Sequence, residues 1–293
     1  MNPFLKDMGY GPKDRVVVIN ADDVGMCQAS LTAYADLCDA GGASTGSVMV
    51  PCPWFPATAA WAKAHPQADL GVHVTLTCEW DAYRWGPVAV HDPTAGLLDS
   101  EGYFPRTTQQ VWEQANLQSA LTEAEAQIDR ALAWGIDVTH IDDHMLAWGA
   151  PEYRRAFTDL ILRRRLPQRD VYLAPDRPDA EPWEKATRAA ALRFREARLP
   201  VFDAFNMLPL DDPHGQPDLL RAVLDRAPRG ELMLIVTHPA VQTPELEAIA
   251  PDWPSRVANY EALMCPDLRA WVKNEGIQII GFRALRDAAS SRP

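Results

Sequence analysis

Residues that can bind a metal or move a proton follow four short apolar runs of this 293-residue chain. Imidazole and carboxylate groups ligate transition metals, and both carry protons in enzyme sites. One carboxylate with two imidazoles would hold a single divalent ion and leave coordination positions open for water and substrate. In chain order these residues are Asp22 and Asp23; His73; His140, Asp142, Asp143 and His144; and His238.

Each of these residues also has a purely structural interpretation. Asp22 and Asp23 would serve as the N-cap of a following helix, which is the better interpretation for the pair alone. His73 would be a buried histidine with satisfied hydrogen bonds, and His140 and His144 would cap a turn. The polar residues at the four runs nevertheless occupy equivalent positions, which unrelated structural roles would not favour. The pattern therefore predicts a mononuclear metal site.

The elements that must position these residues follow from the hydrophobic pattern. Apolar strands that alternate with helices indicate a parallel sheet covered on both faces. Eight such strands predict a (β/α) barrel, and a doubly wound open sheet is the alternative. In either fold the carboxyl ends of the strands meet on one face. The predicted strands are Val16–Asn20, Gly46–Val50, Leu70–Leu76, Val138–Ile141, Val171–Ala174, Val201–Asp203, Leu232–Thr237 and Ile277–Gly281.

Amphipathic patterns predict the helices between these strands. Thr122 and Glu125 have the spacing of a capping box, which would divide the longest predicted helix in two. The predicted helices are Gln28–Asp39, Pro56–Ala64, Thr108–Trp134, Pro151–Arg164, Pro182–Glu196, Gln216–Arg226 and Ser255–Lys273.

The segment from Cys78 to Thr107 fits neither a helix nor a strand. Loops of this length in compact domains usually serve a function. Trp80, Tyr83 and Trp85 offer apolar faces with polar tips that suit a sugar ring, and Arg84 offers a planar set of donors. We expect these four residues to form a wall of the substrate pocket. An aromatic cluster that merely covers the barrel rim is the alternative.

The composition excludes several classes of protein. A net charge of −12 argues against binding to nucleic acid or to an anionic membrane surface. No apolar run is long enough to span a membrane, and the first residues lack the apolar core of a signal peptide. The five cysteines are scattered without a CxxC spacing, which predicts free thiols in a reducing, cytoplasmic compartment.

No repeat or linker interrupts the chain, so residues 1–293 are expected to form a single domain. The oligomeric state is open, and a homodimer is one alternative.

Four motifs together resemble those of the YdjC-like carbohydrate deacetylases. They are N-A-D-D-V-G at 20–25, G-V-H-V-T-L at 71–76, H-I-D-D-H at 140–144 and H-P-A at 238–240. The resemblance extends from about Arg15 to Arg283, and the family includes deacetylases of acetylated chitooligosaccharides and of hopanoid glycolipid precursors. It implies a distorted (β/α) barrel that binds one divalent metal ion and removes an N-acetyl group from an amino sugar, a small-molecule substrate.

The resemblance also implies a role for each motif residue. Asp23 would be the carboxylate ligand, with His73 and His144 as the imidazole ligands. Asp22 would be the general base and His238 the general acid. The ligand set suits zinc, cobalt, manganese or magnesium.

Four positions depart from the family pattern. Val24 replaces the usual Phe, and Asp143 replaces a Ser. Met145 and Leu146 stand where a polar residue and a further His are usual. We expect Asp142 and Asp143 to be among the substrate-binding residues.

Two other functions and one other ligand stay open at this point. Two histidines and a carboxylate also describe non-haem iron oxygenases, although those commonly have all-β folds. A non-catalytic carbohydrate-binding barrel would keep the pocket without turnover. His140 is the alternative imidazole ligand if the turn before His144 has a different geometry.

Overall fold

The computed structural model describes residues 1–169, 177 and 179–291, which form one parallel sheet surrounded by helices. The seven strands are β1 (Arg15–Val24), β2 (Thr45–Val48), β3 (Leu70–Val74), β4 (Val138–Asp143), β5 (Ala204–Met207), β6 (Leu232–Thr237) and β7 (Ile277–Ile279). They are ordered β4-β3-β2-β1-β6-β5, and β7 pairs with β1. Val16 pairs with Leu232 of β6 and also with Gln278 of β7, so β6 and β7 lie on opposite edges of β1.

The helices of the described ranges follow the strands along the chain. They are α1 (Pro3–Asp7), α2 (Gln28–Ala40), α3 (Phe55–Ala64), α4 (Thr108–Gln114), α5 (Leu117–Ala133), α6 (Pro151–Arg164), α7 (Pro182–Glu196), α8 (Gln216–Asp225), α9 (Pro244–Ile249), α10 (Trp253–Met264), α11 (Pro266–Asn274) and α12 (Phe282–Ser290). None of them is both long enough and apolar enough to cross a membrane.

The fold is a distorted (β/α) barrel, as expected, and its sheet is not closed. Within the described ranges, the terminal strands β4 and β5 do not pair with each other. The predicted strand Val171–Ala174 lies outside the described residues. The strand predicted at Val201–Asp203 is instead β5, which begins at Ala204.

The barrel interior changes from apolar to polar along β1. Side chains two residues apart on a strand point to the same face. Val16 and Val18 belong to the larger apolar core, and Asn20 and Asp22 continue the same face toward the carboxyl end of the strand. This change in polarity places the polar residues at the carboxyl end of the barrel.

Two helices predicted as continuous are broken by local chemistry. The Asn116 side chain accepts hydrogen bonds from the first backbone N–H groups of α5 and separates this helix from α4. The capping box lies at Thr107 and Gln110. The prediction from Thr122 was wrong, because Thr122 lies inside α5 and its hydroxyl donates to a carbonyl one turn earlier. Pro266, which has no N–H, separates α10 from α11.

The five cysteines are free thiols, in agreement with the sequence prediction. Cys27, Cys52 and Cys78 are buried, and Cys38 and Cys265 are partly buried. Packing, rather than disulfide bonding, therefore accounts for these cysteines.

Candidate metal centre

Three side chains from separate strands converge at the carboxyl end of the barrel. Nε2 of His73 lies 3.3 Å from Oδ1 of Asp23, and Nδ1 of His144 lies 3.2 Å from the same oxygen. Asp23 is the last residue but one of β1, His73 lies on β3 and His144 follows β4. Strand pairing brings β3 beside β4, with His73 in register with Asp142. The fold thus brings together the three residues that the family resemblance implies as metal ligands.

Each imidazole has a carboxylate on its other ring nitrogen. Nδ1 of His73 lies 2.8 Å from Oδ1 of Asp142, and Nε2 of His144 lies 3.1 Å from both carboxylate oxygens of Glu79. Such carboxylates fix the orientation of metal-binding histidines in known metal sites. If these nitrogens carry the ring protons, the nitrogens that face Asp23 present lone pairs.

A cation would fit among three atoms of this cluster: Oδ1 of Asp23, Nε2 of His73 and Nδ1 of His144. Oδ1 of Asp23 is buried and receives no hydrogen bond from the described residues. Two imidazole lone pairs and a carboxylate oxygen at 3.2–3.3 Å repel one another unless protons or a cation lie among them. One carboxylate and two imidazoles form a donor set suited to a divalent transition metal.

Protons and a metal ion would compete for the imidazole nitrogens of this cluster. Burial lowers the pKa of His73, but the carboxylates of Asp142 and Asp22 outweigh it and raise that pKa well above its usual value. Burial likewise opposes protonation of His144, whereas Glu79 and Asp23 raise its pKa to about 9. Metal ions bind deprotonated ligands, so binding here would release protons.

Asp23 has a strained backbone conformation, and an arginine binds its side chain. Its φ of 60° lies in the left-handed region, which is uncommon for residues other than glycine. Nη1 of Arg256 donates to its Oδ2 at 2.7 Å. Burial raises the pKa of Asp23, but Arg256 and the nearby imidazoles hold it well below its usual range. The following Gly25, with φ 79°, passes so close to Thr58 that a Cβ would lie 2.4 Å from its hydroxyl oxygen.

Asp22 lies beside this cluster with both oxygens bound. Nδ2 of Asn20 donates to Oδ1 at 2.5 Å, and the guanidinium of Arg169 donates to Oδ2. Oδ2 is 3.8 Å from Nε2 of His73 and 3.8 Å from Nε2 of His238. These two distances are too long for direct hydrogen bonds.

His238 follows β6, and its Nε2 faces the same oxygen of Asp22 as Nε2 of His73 does. Its backbone N–H donates to Oδ1 of Asn259 at 3.0 Å, which fixes the chain after β6. Its buried Nδ1 has no hydrogen-bond partner in the described part of the chain. Burial lowers the pKa of His238 despite the nearby Asp22 and Asp23, so the neutral ring prevails at neutral pH.

The remaining polar residues of the β4 motif lie beneath the site. Asp142 is fully buried and accepts from Ser47 Oγ at 2.6 Å as well as facing His73, so it positions that imidazole. Oδ2 of Asp143 accepts from the backbone N–H of Trp148 at 2.7 Å and shapes the turn after β4. Direct contact of either carboxylate with a substrate stays a prediction.

The alternative ligand, His140, does not join the converging groups found among the described residues. Its ring stacks on Phe282 with centroids 3.9 Å apart, and its Nε2 lies 3.0 Å from Ser47 Oγ. A Cβ at Gly71 would lie 2.4–2.6 Å from three atoms of this ring. His140 therefore packs the floor of the site, and the glycine of the second motif makes room for it.

The loop predicted as a pocket wall is ordered by its own contacts. The Tyr83 hydroxyl donates to the carbonyl of Met26 at 2.6 Å, and the indole N–H of buried Trp85 donates to the carbonyl of Thr77 at 2.8 Å. The Arg84 guanidinium binds acidic side chains of the same loop and the thiol of Cys78. These contacts support the packing alternative, and a role in substrate binding stays a prediction.

Three charged residues of the site were missed by the sequence analysis: Glu79, Arg169 and Arg256. Glu79 follows the predicted strand that carries His73, and this position at a strand end was the one sequence feature that could have indicated its place in the site. Arg169 and Arg256 come from segments without a motif, and only the fold brings them to Asp22 and Asp23.

Comparison with known proteins agrees with these motifs. The family model described as YdjC-like protein matches residues 16–274. The chain is 34% identical to a carbohydrate deacetylase of Thermus thermophilus, over 97% of this chain and 98% of the relative. It is 26% identical to a carbohydrate deacetylase of Geobacillus stearothermophilus, over 92% of this chain and 97% of the relative.

A solved structure shares the fold. It is a putative cellobiose-phosphate cleavage protein of Enterococcus faecalis, which aligns with a TM-score of 0.78 at 20% identity and covers 93% of this chain and 99% of its own. At that identity the likeness concerns the fold alone. With the family model covering most of the sequence, the chain belongs to the YdjC-like protein family.

Proposed function

We propose that this protein is a metal-dependent carbohydrate deacetylase that hydrolyses the N-acetyl group of an amino sugar. The observation that carries the proposal is the convergence of Asp23, His73 and His144 beside the acid–base pair Asp22 and His238. The two relatives named as carbohydrate deacetylases, which align over nearly the whole chain, supply the substrate class.

The cofactor in this proposal is one divalent ion held by Asp23, His73 and His144. Zinc, cobalt, manganese and magnesium are the ions considered. When bound, such an ion polarises an amide carbonyl and lowers the pKa of water. An acetamide requires that help because it is a poor electrophile.

Asp22 is the proposed general base. A carboxylate placed beside the reacting water can accept its proton, and Asn20 and Arg169 fix both oxygens of Asp22 for that task. Arg169 also donates to Asp142 through Nε at 3.1 Å, so one guanidinium links the base to the carboxylate behind His73.

His238 is the proposed general acid for the departing amine. Because its pKa is lowered, the ring must first take up a proton before it can donate one. Asp22 lies 3.8 Å away and is the acidic group positioned to exchange that proton. Tyr83, Arg84, Trp85, Asp142 and Asp143 stay proposed as substrate-binding residues.

Two substitutions test the acid–base assignment. Asp22→Asn and His238→Ala should retain the metal and lose about 10²- to 10⁴-fold in kcat, as expected for positioned proton transfer. Asp81→Asn is the matched control, because its carboxyl group is exposed on the loop after β3. Steady-state acetate release and metal content would be measured on the same preparations. An Asp22→Asn enzyme that is active and fully loaded with metal would contradict the mechanism.

A further inference from the structure

A cavity of about 790 Å³ is lined in part by residues that follow β4, the strand that leads into the proposed ligand His144. Met145 and Leu146, which line it, directly follow the proposed ligand His144. Phe205, on β5, forms another part of the lining. The cavity therefore adjoins the β4 motif in sequence, and its lining contains neither the proposed metal ligands nor Asp22 or His238.

The walls of this cavity expose large apolar side chains. Met145, Leu146, Trp183 and Phe205 are each 42–56% exposed, although side chains of this size usually pack inside a protein. Met145 and Leu146 both have left-handed backbones, with φ of 56° and 55°. Strain of this kind persists where the surrounding structure enforces it, often at ligand sites. A contiguous exposed apolar surface marks a binding surface.

The same cavity contains a buried arginine. Arg154, on α6, lines the cavity and is only 7% exposed. Neither its Nε nor its Nη1 has a hydrogen-bond partner among the residues that the structure describes. Two buried guanidinium nitrogens without partners are costly, and an anion with two oxygens matches the donor geometry of this side chain. The cavity therefore combines an apolar wall with an unsatisfied positive charge.

We propose that this cavity binds the aglycone of the amino-sugar substrate, and that the aglycone is an acidic group joined to an apolar or aromatic body. The proposal rests on the proposed deacetylase function and specifies its substrate. Met145, Leu146, Trp183 and Phe205 would cover the apolar body, while Arg154 would bind the acidic group. The apolar wall offers few partners for hydroxyl groups, so a neutral sugar chain fits this cavity poorly. A phosphate and a carboxylate would both satisfy Arg154.

Binding of small aryl anions tests the site without catalysis. Calorimetric titration with phenyl phosphate and with phenylacetate would distinguish the two kinds of acidic group. We expect one or both to bind, and Arg154→Gln to weaken binding by about 10- to 100-fold. Arg155→Gln is the matched control, since it removes an equal charge from the exposed neighbouring position. Trp183→Ala, at an exposed position that does not threaten folding, should weaken the binding of each anion that the wild type binds.

Failure to bind either anion would overturn the proposal. Equal binding by the wild type and Arg154→Gln, or an equal loss in Arg155→Gln, would overturn it as well. Arg154→Lys keeps the charge and provides a second variant if the Gln protein does not fold. It should bind more tightly than Arg154→Gln in proteins of equal melting temperature.

Acetate release then separates this proposal from the general function. The substrates are the N-acetylglucosaminides of 4-hydroxybenzoate and of phenol, which differ in one acidic group. We expect a higher kcat/KM for the acidic glycoside, and we expect Arg154→Gln to abolish the difference. Equal kcat/KM values would overturn the aglycone assignment and leave the deacetylase function standing. No acetate from either glycoside, or from neutral chitooligosaccharides, would overturn the deacetylase function and the aglycone assignment with it.

Discussion

Replacement of Glu79 by glutamine should weaken metal binding by about 10- to 100-fold, or about 1.4–2.8 kcal/mol. Both carboxylate oxygens of Glu79 lie 3.1 Å from Nε2 of His144, and the side chain is largely buried. Glutamine keeps the size and one acceptor oxygen but removes the charge that orients the imidazole and increases its basicity. The size of the effect is the range found when such a partner of a metal-bound histidine is lost.

Competition with a chelator of known affinity would measure this change for zinc. Glu101→Gln is the control, because Glu101 belongs to the same loop but pairs with Arg84 instead of a proposed ligand. It should leave the dissociation constant unchanged. An equal zinc affinity for Glu79→Gln and the wild type would refute the argument that Glu79 supports His144.

Two further predictions concern the scaffold. Gly71→Ala should lower the free energy of unfolding by about 1–3 kcal/mol in urea denaturation, because its Cβ would overlap the His140 ring; an unchanged stability would contradict the packing described. Asp137 accepts hydrogen bonds from Arg286, and these lower its pKa. The ionised carboxylate therefore stabilises the folded protein at any pH above the usual carboxyl pKa, and this stabilisation is lost as the pH falls through the lowered pKa of Asp137. Asp137→Asn should therefore destabilise the protein by about 0.5–1 kcal/mol at pH 7 and by less at about pH 3, and a pH-independent difference in urea denaturation would contradict this.

Much of the fold follows from hydrophobic periodicity. The long apolar runs of β1 and β6 were predicted within a few residues, because a buried parallel strand needs nearly every side chain to be apolar. β5 begins three residues after the start of the strand predicted at 201–203. Its side chains are alternately exposed, Phe205 and Met207 among them, so it lacks the continuous burial that marks β1 and β6. The helix breaks at Asn116 and Pro266 were not predicted. The first depends on the capping side chain of Asn116 and the second on the missing N–H of Pro266, and neither changes the amphipathic period of the sequence.

The candidate site was predictable where strand ends carry unusual residues. Asp23, His73 and His144 meet because parallel strands place their carboxyl ends on one face. Their supporting residues were less predictable. Arg256 reaches Asp23 from α10, more than two hundred positions away, and no local pattern reports such a contact. Arg154 was hidden in an ordinary amphipathic helix, and its lack of partners is visible only in the packed structure.

The most direct test of the central claim is acetate release by the purified protein from a panel of N-acetyl sugars that includes chitooligosaccharides and the N-acetylglucosaminide of 4-hydroxybenzoate. The measurement would be made as isolated, after removal of metal with a chelator, and after return of zinc, cobalt, manganese or magnesium in turn. The account predicts that chelation abolishes acetate release, that at least one ion restores it, and that His73→Ala stays inactive with every ion. Acetate release that persists in the metal-free protein, or in metal-free His73→Ala, would contradict it.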